Sequence, residues 1–180
     1  MRDNILNIDA NGLLNIAKQI ESPNFDARPL ATIDMIVIHN ISLPPNEYGG
    51  NGVVQLFTNV LNPDEHPYYA EIYTRKVSAH FFINRDGDII QFVSCLQRAW
   101  HAGVSQWQGR ERCNDFSVGI ELEGCDNDHF SLQQYKQLNQ LITILKKTYP
   151  IQHIVGHSDI AAGRKTDPGP YFEWTKIKHD

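Results

Sequence analysis

The stretch IDMIVIHNISLPP, residues 33–45, decides the fold and points to the site. Its first seven residues are mostly apolar and β-branched, which is typical of a short central strand covered on both faces. The strand ends in His39, and Asn40 begins a loop, residues 40–51, that two consecutive prolines interrupt. A histidine at the end of a core strand is held rigidly, which suits a metal ligand. The alternative is a histidine that only packs in the core or caps the strand.

The rest of the chain alternates strand patterns with helical patterns. The strongest helix lies in residues 131–150, where Ser131 and Gln134 form a capping-box pattern. Its apolar residues are predicted to share one stripe: Leu132, Tyr135, Leu138, Leu141, Ile142 and Leu145. The other predicted elements are helices at 9–19 and 53–61, an irregular segment at 62–78, strands at 80–83 and 88–93 joined by the turn NRDG, and strands at 117–124 and 153–157. This order predicts an α/β (α+β) fold, a central mixed β-sheet flanked by helices, in a single domain of residues 1–180.

The composition argues against several classes of protein. The net charge is -5 and no basic stripe stands out, which argues against nucleic-acid binding. No apolar run approaches the roughly 20 residues of a membrane span, and the first residues lack the pattern of a secretory signal. The chain has 3 cysteines without C-x-x-C spacing, and free thiols suit a reducing cytoplasm. We therefore expect a cytoplasmic protein without nucleic-acid or membrane partners.

Three residues form a candidate metal site: His39, His157 and Asp167. His157 ends the last predicted strand, and Asp167 follows in the segment KTDPGP, where two prolines restrict the backbone. Two imidazoles and a carboxylate, with a fourth position left for water, are typical of a catalytic zinc site. The alternative is a pair of capping or core histidines and a turn-forming aspartate.

A candidate general base lies on the predicted strand 117–124, where Glu121 and Glu123 alternate with apolar residues. A carboxylate beside a metal-activated water can take its proton. Both glutamates are predicted to point to the same face, so the pattern leaves the choice between them open. Without a metal, both would be solvent-facing residues on an exposed sheet face.

Other candidate residues carry charge or aromatic rings. Lys165 lies two residues before the aspartate, where an ammonium group can stabilise an oxyanion. The segment AWHAGVSQWQGRERCNDFS contains Trp100, His101 and Arg112, and its aromatic faces and guanidinium groups suit a sugar ring and a carboxylate. The alternatives are a solvated lysine, core packing and surface charge.

Several longer stretches together resemble one known family. They are SPNFDARP, IVIHNISLPPNEYGG, HPYYAEIYTRKVSAHFFINRDGDIIQFV, RAWHAGVSQWQGRERCNDFSVGIELEG and GHSDIAAGRKTDPGP, and they extend over residues 22–174. The chain resembles the zinc-dependent N-acetylmuramoyl-L-alanine amidases. Within that family it is most similar to the AmpD type, which acts on 1,6-anhydro-N-acetylmuramyl-L-alanine in cell-wall recycling.

The resemblance implies a fold and a role for each site residue. The fold is that of the amidases and the peptidoglycan-recognition proteins. The implied ligands of Zn²⁺ are His39, His157 and Asp167, the implied general base is Glu121 rather than its neighbour two residues on, and Lys165 is an essential lysine. The residues implied to line the substrate groove are Asn40, Trp100, His101 and Arg112. The chain departs from the family pattern at two peripheral positions, Lys76 and Asn84.

The implied function is zinc-dependent hydrolysis of the amide bond between (1,6-anhydro-)N-acetylmuramic acid and the L-alanine of the stem peptide. The implied partner is a small-molecule substrate, an anhydromuramyl peptide, bound by a monomer. One alternative is an amidase that acts on polymeric cell wall, against which the missing secretory signal argues. The other is a non-catalytic module that binds peptidoglycan fragments, against which the complete set of ligands argues.

Overall fold

The computed structural model describes residues 6–29 and 31–178, and within them the chain forms ten β-strands and four α-helices. In chain order the strands are β1 (Lys18–Gln19), β2 (Phe25–Ala27), β3 (Met35–Ile41), β4 (Phe81–Ile83), β5 (Ile89–Gln91), β6 (Gln97–Ala99), β7 (Gln106–Trp107), β8 (Arg110–Glu111), β9 (Ser117–Glu123) and β10 (His153–Gly156). The helices are α1 (Gly52–Phe57), α2 (Pro67–Ile72), α3 (Leu132–Thr148) and α4 (His157–Ile160), with 3-10 turns at Cys113–Asp115 and Trp174–Lys176.

The main sheet has six strands in the order β1-β5-β4-β9-β3-β10. Strands β4, β9, β3 and β10 run parallel, whereas β4 and β5 form the antiparallel hairpin that the turn NRDG predicts. Two small antiparallel ribbons, β2 with β6 and β7 with β8, lie outside this sheet. The predicted central mixed sheet is therefore confirmed.

Strand β3 is buried on both faces, as its apolar run predicts. Ile36 and Ile38 pack in the core cluster that also contains the buried face of α3. Met35 and Val37 point the other way and pack in a separate cluster. Because side chains alternate along a strand, His39 lies on the face of the sheet opposite α3.

Helix α3 has the predicted capping box. The Ser131 hydroxyl accepts from the backbone N–H of Gln134 at 3.1 Å, and the Gln134 side chain accepts from the backbone N–H of Ser131 at 2.9 Å. The predicted stripe is buried except for Leu132, which is 72% exposed. At 3.6 residues per turn, Leu132 lies about 60° from Tyr135 and further still from the other members of the stripe. Its assignment to the stripe was wrong for that reason.

The predicted helix at 9–19 is wrong. The Asp9 side chain accepts from the backbone N–H groups of Asn11 and Leu13, both at 2.9 Å, and this local turn competes with a helix. Gly12 then adopts a φ of 75°, in the left-handed region that favours glycine. The segment instead forms turns and enters the sheet through β1, which pairs with β5.

The predicted irregular segment at 62–78 contains helix α2. The helix begins at Pro67, a favoured first helical residue, and the His66 side chain accepts from the backbone N–H of Tyr68 at 3.1 Å. Helix α1 ends at Phe57, short of the predicted residue 61, and Asn59 adopts a φ of 62°.

No helix within the described residues is long and apolar enough to cross a membrane.

Candidate metal centre

The central parallel strands end at one edge of the sheet, where their side chains meet. His39 on β3 and Glu121 on β9 are direct partners in the parallel register, so their side chains point to the same face. His157 follows β10, which pairs with β3, and is the first residue of α4 rather than the last of the strand. Ligand sites of sheets with parallel strands lie at these carboxyl ends.

A loop after α4 carries Asp167 to the same place. The backbone N–H of Ser158 donates to the Asp167 carbonyl oxygen at 2.9 Å, which holds the loop near the start of α4. The Asn40 side chain donates to the carbonyl oxygen of Pro168 at 3.0 Å and to the carboxylate of Asp126 at 2.7 Å. The loop is therefore held by α4 at Asp167 and by β3 at Pro168.

The candidate ligand atoms form a triangle. His39 Nδ1, His157 Nδ1 and Asp167 Oδ2 lie 3.0 Å from one another in each pair. Both histidines are buried, at 1% and 3% exposure. His157 Nε2 lies 3.0 Å from the carbonyl oxygen of Ala102, which can only accept, so Nε2 carries the proton and Nδ1 a lone pair.

The donor set of the triangle fits a divalent cation. Two imidazole nitrogens and one carboxylate oxygen match the three protein ligands of catalytic zinc sites. Burial lowers the pKa of His39 to about 4, so its ring is neutral and able to ligate at pH 7.

Glu121 is a buried carboxyl group with an unused oxygen. Its residue is 8% exposed, and Oε2 has no hydrogen-bond partner among the described residues. Burial raises the pKa of Glu121 well above its usual value, and the charge of Asp167 adds to this, while Lys165 opposes it. A raised pKa makes a carboxylate a stronger base, which suits it to accept a proton.

Glu123, the other candidate, lies on the same face of β9, but both of its carboxylate oxygens already accept hydrogen bonds. One carboxylate oxygen accepts from the backbone N–H of Gly49 at 2.5 Å, and the other accepts from the backbone N–H of Arg85 at 2.9 Å. The residue is 4% exposed, so the alternative of two solvent-facing glutamates is wrong. Its carboxylate joins two loops to the sheet.

A cleft of about 570 Å³ opens over the triangle. Glu121, Lys165, Asn40 and Trp100 line it together with the candidate ligands. Lys165 is exposed, and its charge acts on both Glu121 and His39. Of the two prolines after β3, Pro45 borders the same cleft.

The structure places the other residues predicted to line the groove in three different environments. Trp100 is half-buried and its indole N–H donates to Asp26 at 3.2 Å. His101 borders the cleft, but both of its ring nitrogens are engaged behind His39. Arg112 has a side chain 70% exposed, pairs with Asp115 at 3.3 Å and borders a different cavity.

Sequence reasoning missed Arg164. Its guanidinium group donates to the carbonyl oxygens of Ala102 at 2.8 Å and Val104 at 2.7 Å, and it also borders the cleft. It therefore ties the ligand loop to the segment that holds His157. The only signal was its position beside Lys165, and that position does not reveal a partner about sixty residues away.

Comparisons with known proteins agree with this geometry. The family model described as N-acetylmuramoyl-L-alanine amidase matches residues 29–170. The 1,6-anhydro-N-acetylmuramyl-L-alanine amidase AmpD of Escherichia coli K12 is 51% identical over 170 residues, which cover 93% of each chain.

Two solved structures extend the comparison. A crystal structure of a selenomethionine derivative of AmpD aligns with a TM-score of 0.91 and 50% identity, covering 93% of this chain and 95% of that one. AmpDh3 of Pseudomonas aeruginosa in complex with an anhydromuramic pentapeptide aligns with a TM-score of 0.60 and 26% identity, covering 96% of this chain and 65% of that one. The sheet, the ligand triangle and these matches agree: the chain belongs to the N-acetylmuramoyl-L-alanine amidase family and, within it, to the AmpD type of amide hydrolases.

Proposed function

We propose that this protein hydrolyses the amide bond between 1,6-anhydro-N-acetylmuramic acid and the L-alanine of a stem peptide, with Zn²⁺ as its cofactor. The observation that carries the proposal is the buried Glu121 carboxyl group, which lines the same cleft as the triangle of ligand atoms and keeps one oxygen without a partner. The activity named for the relative from Escherichia coli and the anhydromuramic pentapeptide bound to AmpDh3 support this class of substrate.

The metal would be held by His39 Nδ1, His157 Nδ1 and Asp167 Oδ2. When bound there, Zn²⁺ supplies Lewis-acid activation of water and of the substrate carbonyl at neutral pH. The choice of zinc rests on the two nitrogen ligands, because Mg²⁺ and Ca²⁺ prefer sites made of oxygen alone.

Glu121 acts as the general base and then as the general acid. It takes a proton from the attacking water, and the resulting hydroxide adds to the lactyl carbonyl carbon of the muramyl group. The C–N bond then breaks, and Glu121 returns the proton to the leaving amine nitrogen of L-alanine. The raised pKa of Glu121 supports the first step, because a higher pKa makes the carboxylate a stronger base.

Lys165 stabilises the negative charge that develops on the carbonyl oxygen. Its side chain borders the cleft and acts electrostatically on Glu121, which supports a position close to the reacting atoms. The loop that carries it also carries Asp167 and is held by Arg164 and Asn40. A charge fixed before the reaction avoids the reorganisation that a mobile charge would need.

The proposed substrate is a soluble fragment and the proposed compartment is the cytoplasm. Cys95, Cys113 and Cys125 are all free thiols, which is typical of a reducing compartment. Asn40 and Trp100 border the cleft and are proposed substrate contacts, together with the cleft side of His101. We do not extend this role to Arg112, because it borders a different cavity.

The test combines metal content with hydrolysis. Purified protein should contain about one zinc per chain and release the peptide from anhydromuramyl tripeptide, and a chelator should abolish the release until zinc is restored. Intact sacculi supplied at equal substrate concentration should be cleaved far more slowly. Bound zinc and bound fragment without released peptide would support a binding module, and equal rates on sacculi would support a cell-wall amidase.

A further inference from the structure

A buried chain of hydrogen bonds runs from His39 away from the cleft. His39 Nε2 lies 2.9 Å from His101 Nδ1, and His101 Nε2 lies 3.2 Å from the Ser117 hydroxyl oxygen. The Ser117 hydroxyl in turn lies 2.6 Å from the carbonyl oxygen of Cys113. All four residues are buried, with Ser117 and Cys113 at 0% exposure.

The last hydrogen bond of this series decides which atom donates and which accepts in the others. A backbone carbonyl has no proton to give, so Ser117 must donate its single proton to the Cys113 carbonyl oxygen. The Ser117 oxygen can then only accept from His101, which must carry its proton on Nε2.

The direction continues through the two imidazole rings. A neutral His101 with its proton on Nε2 has a lone pair on Nδ1, and this lone pair accepts from His39 Nε2–H. A neutral His39 with its proton on Nε2 then has its own lone pair on Nδ1, the atom that belongs to the ligand triangle. Burial keeps the pKa of both rings below the usual histidine value, which is consistent with neutral rings.

We propose that Ser117 and His101 are positioning residues that fix His39 in the Nε2–H tautomer and so present its Nδ1 lone pair to the metal. This inference rests on the proposed function only in taking His39 as a metal ligand. It assigns His101 a role behind the ligand, in addition to its place beside the cleft.

Two further observations support the role of His101 in positioning His39. Gly119, on β9 between Ser117 and Glu121, leaves room for the imidazole, because a side chain at this position would overlap the His101 ring. The other histidine ligand is oriented separately, since His157 Nε2 lies against the carbonyl oxygen of Ala102. Each ligand histidine therefore has its own orienting partner, and a change at His101 or Ser117 should affect only His39.

The first experiment measures tautomers in the zinc-loaded protein, because without the ion the Asp167 carboxylate, 3.0 Å from Nδ1 of His39 and of His157, would itself favour a proton on those atoms. With ¹⁵N-labelled histidine, long-range ¹H–¹⁵N correlation spectra distinguish protonated from unprotonated ring nitrogens. We expect His39, His101 and His157 all to show a protonated Nε2 and an unprotonated Nδ1. A His101 protonated on Nδ1, or a His39 protonated on Nδ1, would overturn the proposal.

The second experiment measures zinc affinity by chelator competition in a matched pair of variants. His101→Leu removes the acceptor for His39, and we expect zinc to bind 10- to 100-fold more weakly, as is usual when the partner of a metal-bound histidine is lost. His101→Gln supplies an amide oxygen to accept from His39 and an amide N–H to donate to Ser117, and we expect it to recover most of that loss. Equal zinc affinity in wild type and both variants would overturn the proposal.

Ser117→Ala keeps the proposal testable if His101→Leu fails to fold. Without the hydroxyl, His101 loses the contact that selects its tautomer, so zinc should bind more weakly than in wild type while the tautomer of His157 is unchanged. A zinc affinity of Ser117→Ala equal to that of wild type would overturn the role of Ser117. These readouts need no turnover, so a protein that binds zinc without amidase activity would refute the proposed function and leave this inference standing.

Discussion

Glu121→Gln separates the catalytic from the structural contribution of the buried carboxyl group. The change keeps the size of the side chain but removes a group that can take a proton from water. General-base catalysis contributes about 10²- to 10⁴-fold, so kcat/KM for anhydromuramyl tripeptide should fall by that factor, or about 3–5 kcal/mol of transition-state stabilisation. Zinc content should stay near one per chain, because Glu121 is not among the ligand atoms.

The same substitution should stabilise the metal-free protein. Glu121 is buried and lies in the field of Asp167, so ionising it costs free energy in the folded protein that a neutral glutamine does not incur. Because its pKa is raised in the folded state, this cost is absent below the ordinary carboxyl pKa and grows as the pH rises. The free energy of unfolding, measured by urea denaturation without metal, should therefore favour the variant by more at pH 8 than at pH 4.

Glu123→Gln is the matched control on the same face of the same strand. Its carboxylate holds the backbone N–H groups of Gly49 and Arg85, so the variant should lose about 1–3 kcal/mol of stability. The rate per zinc-loaded folded chain should change by less than about threefold, because neither contact reaches the ligand triangle. A Glu121→Gln variant within about tenfold of wild-type kcat/KM, or a Glu123→Gln variant with the larger loss of rate, would refute this reasoning.

Three further predictions concern charge, capping and thiol chemistry. Lys165→Met should lower kcat by about 10²- to 10³-fold, as loss of an oxyanion donor does, whereas Arg112→Met should stay within about twofold in the same hydrolysis assay, because its side chain is 70% exposed and borders another cavity. Ser131→Ala should lower the urea-denaturation free energy by about 1 kcal/mol through loss of the capping box, with kcat unchanged; a changed kcat would contradict the purely structural role. A thiol reagent at pH 8 should modify Cys125 in the folded protein but not Cys95, whose burial raises its pKa to about 12, and full denaturation should expose all three thiols; rapid labelling of Cys95 in the native state would contradict its burial.

Local patterns predicted much of the fold because local physics decides them. The apolar run before His39 forms the central strand, and the Ser131–Gln134 pair forms the cap of α3. The helix predicted at 9–19 failed for an equally local reason that the helical spacing concealed, namely the Asp9 side chain that accepts from two backbone N–H groups. Where the spacing of apolar residues competes with a turn-forming side chain, periodicity alone is a weak guide.

The sequence by itself determined which residue types stand at the ends of the central strands: His39, Glu121, and the segment that carries His157 and Asp167. Alternation along β9 also predicted that Glu121 and Glu123 share a face, since a strand repeats every two residues. Only the tertiary structure decided what meets that face. Glu123 accepts hydrogen bonds from backbone N–H groups of loops distant in the chain, whereas Glu121 lines the cleft with the ligand triangle and keeps an oxygen without a partner. Burial, partners and tautomers arise from contacts between segments far apart in sequence, and no local pattern encodes those contacts.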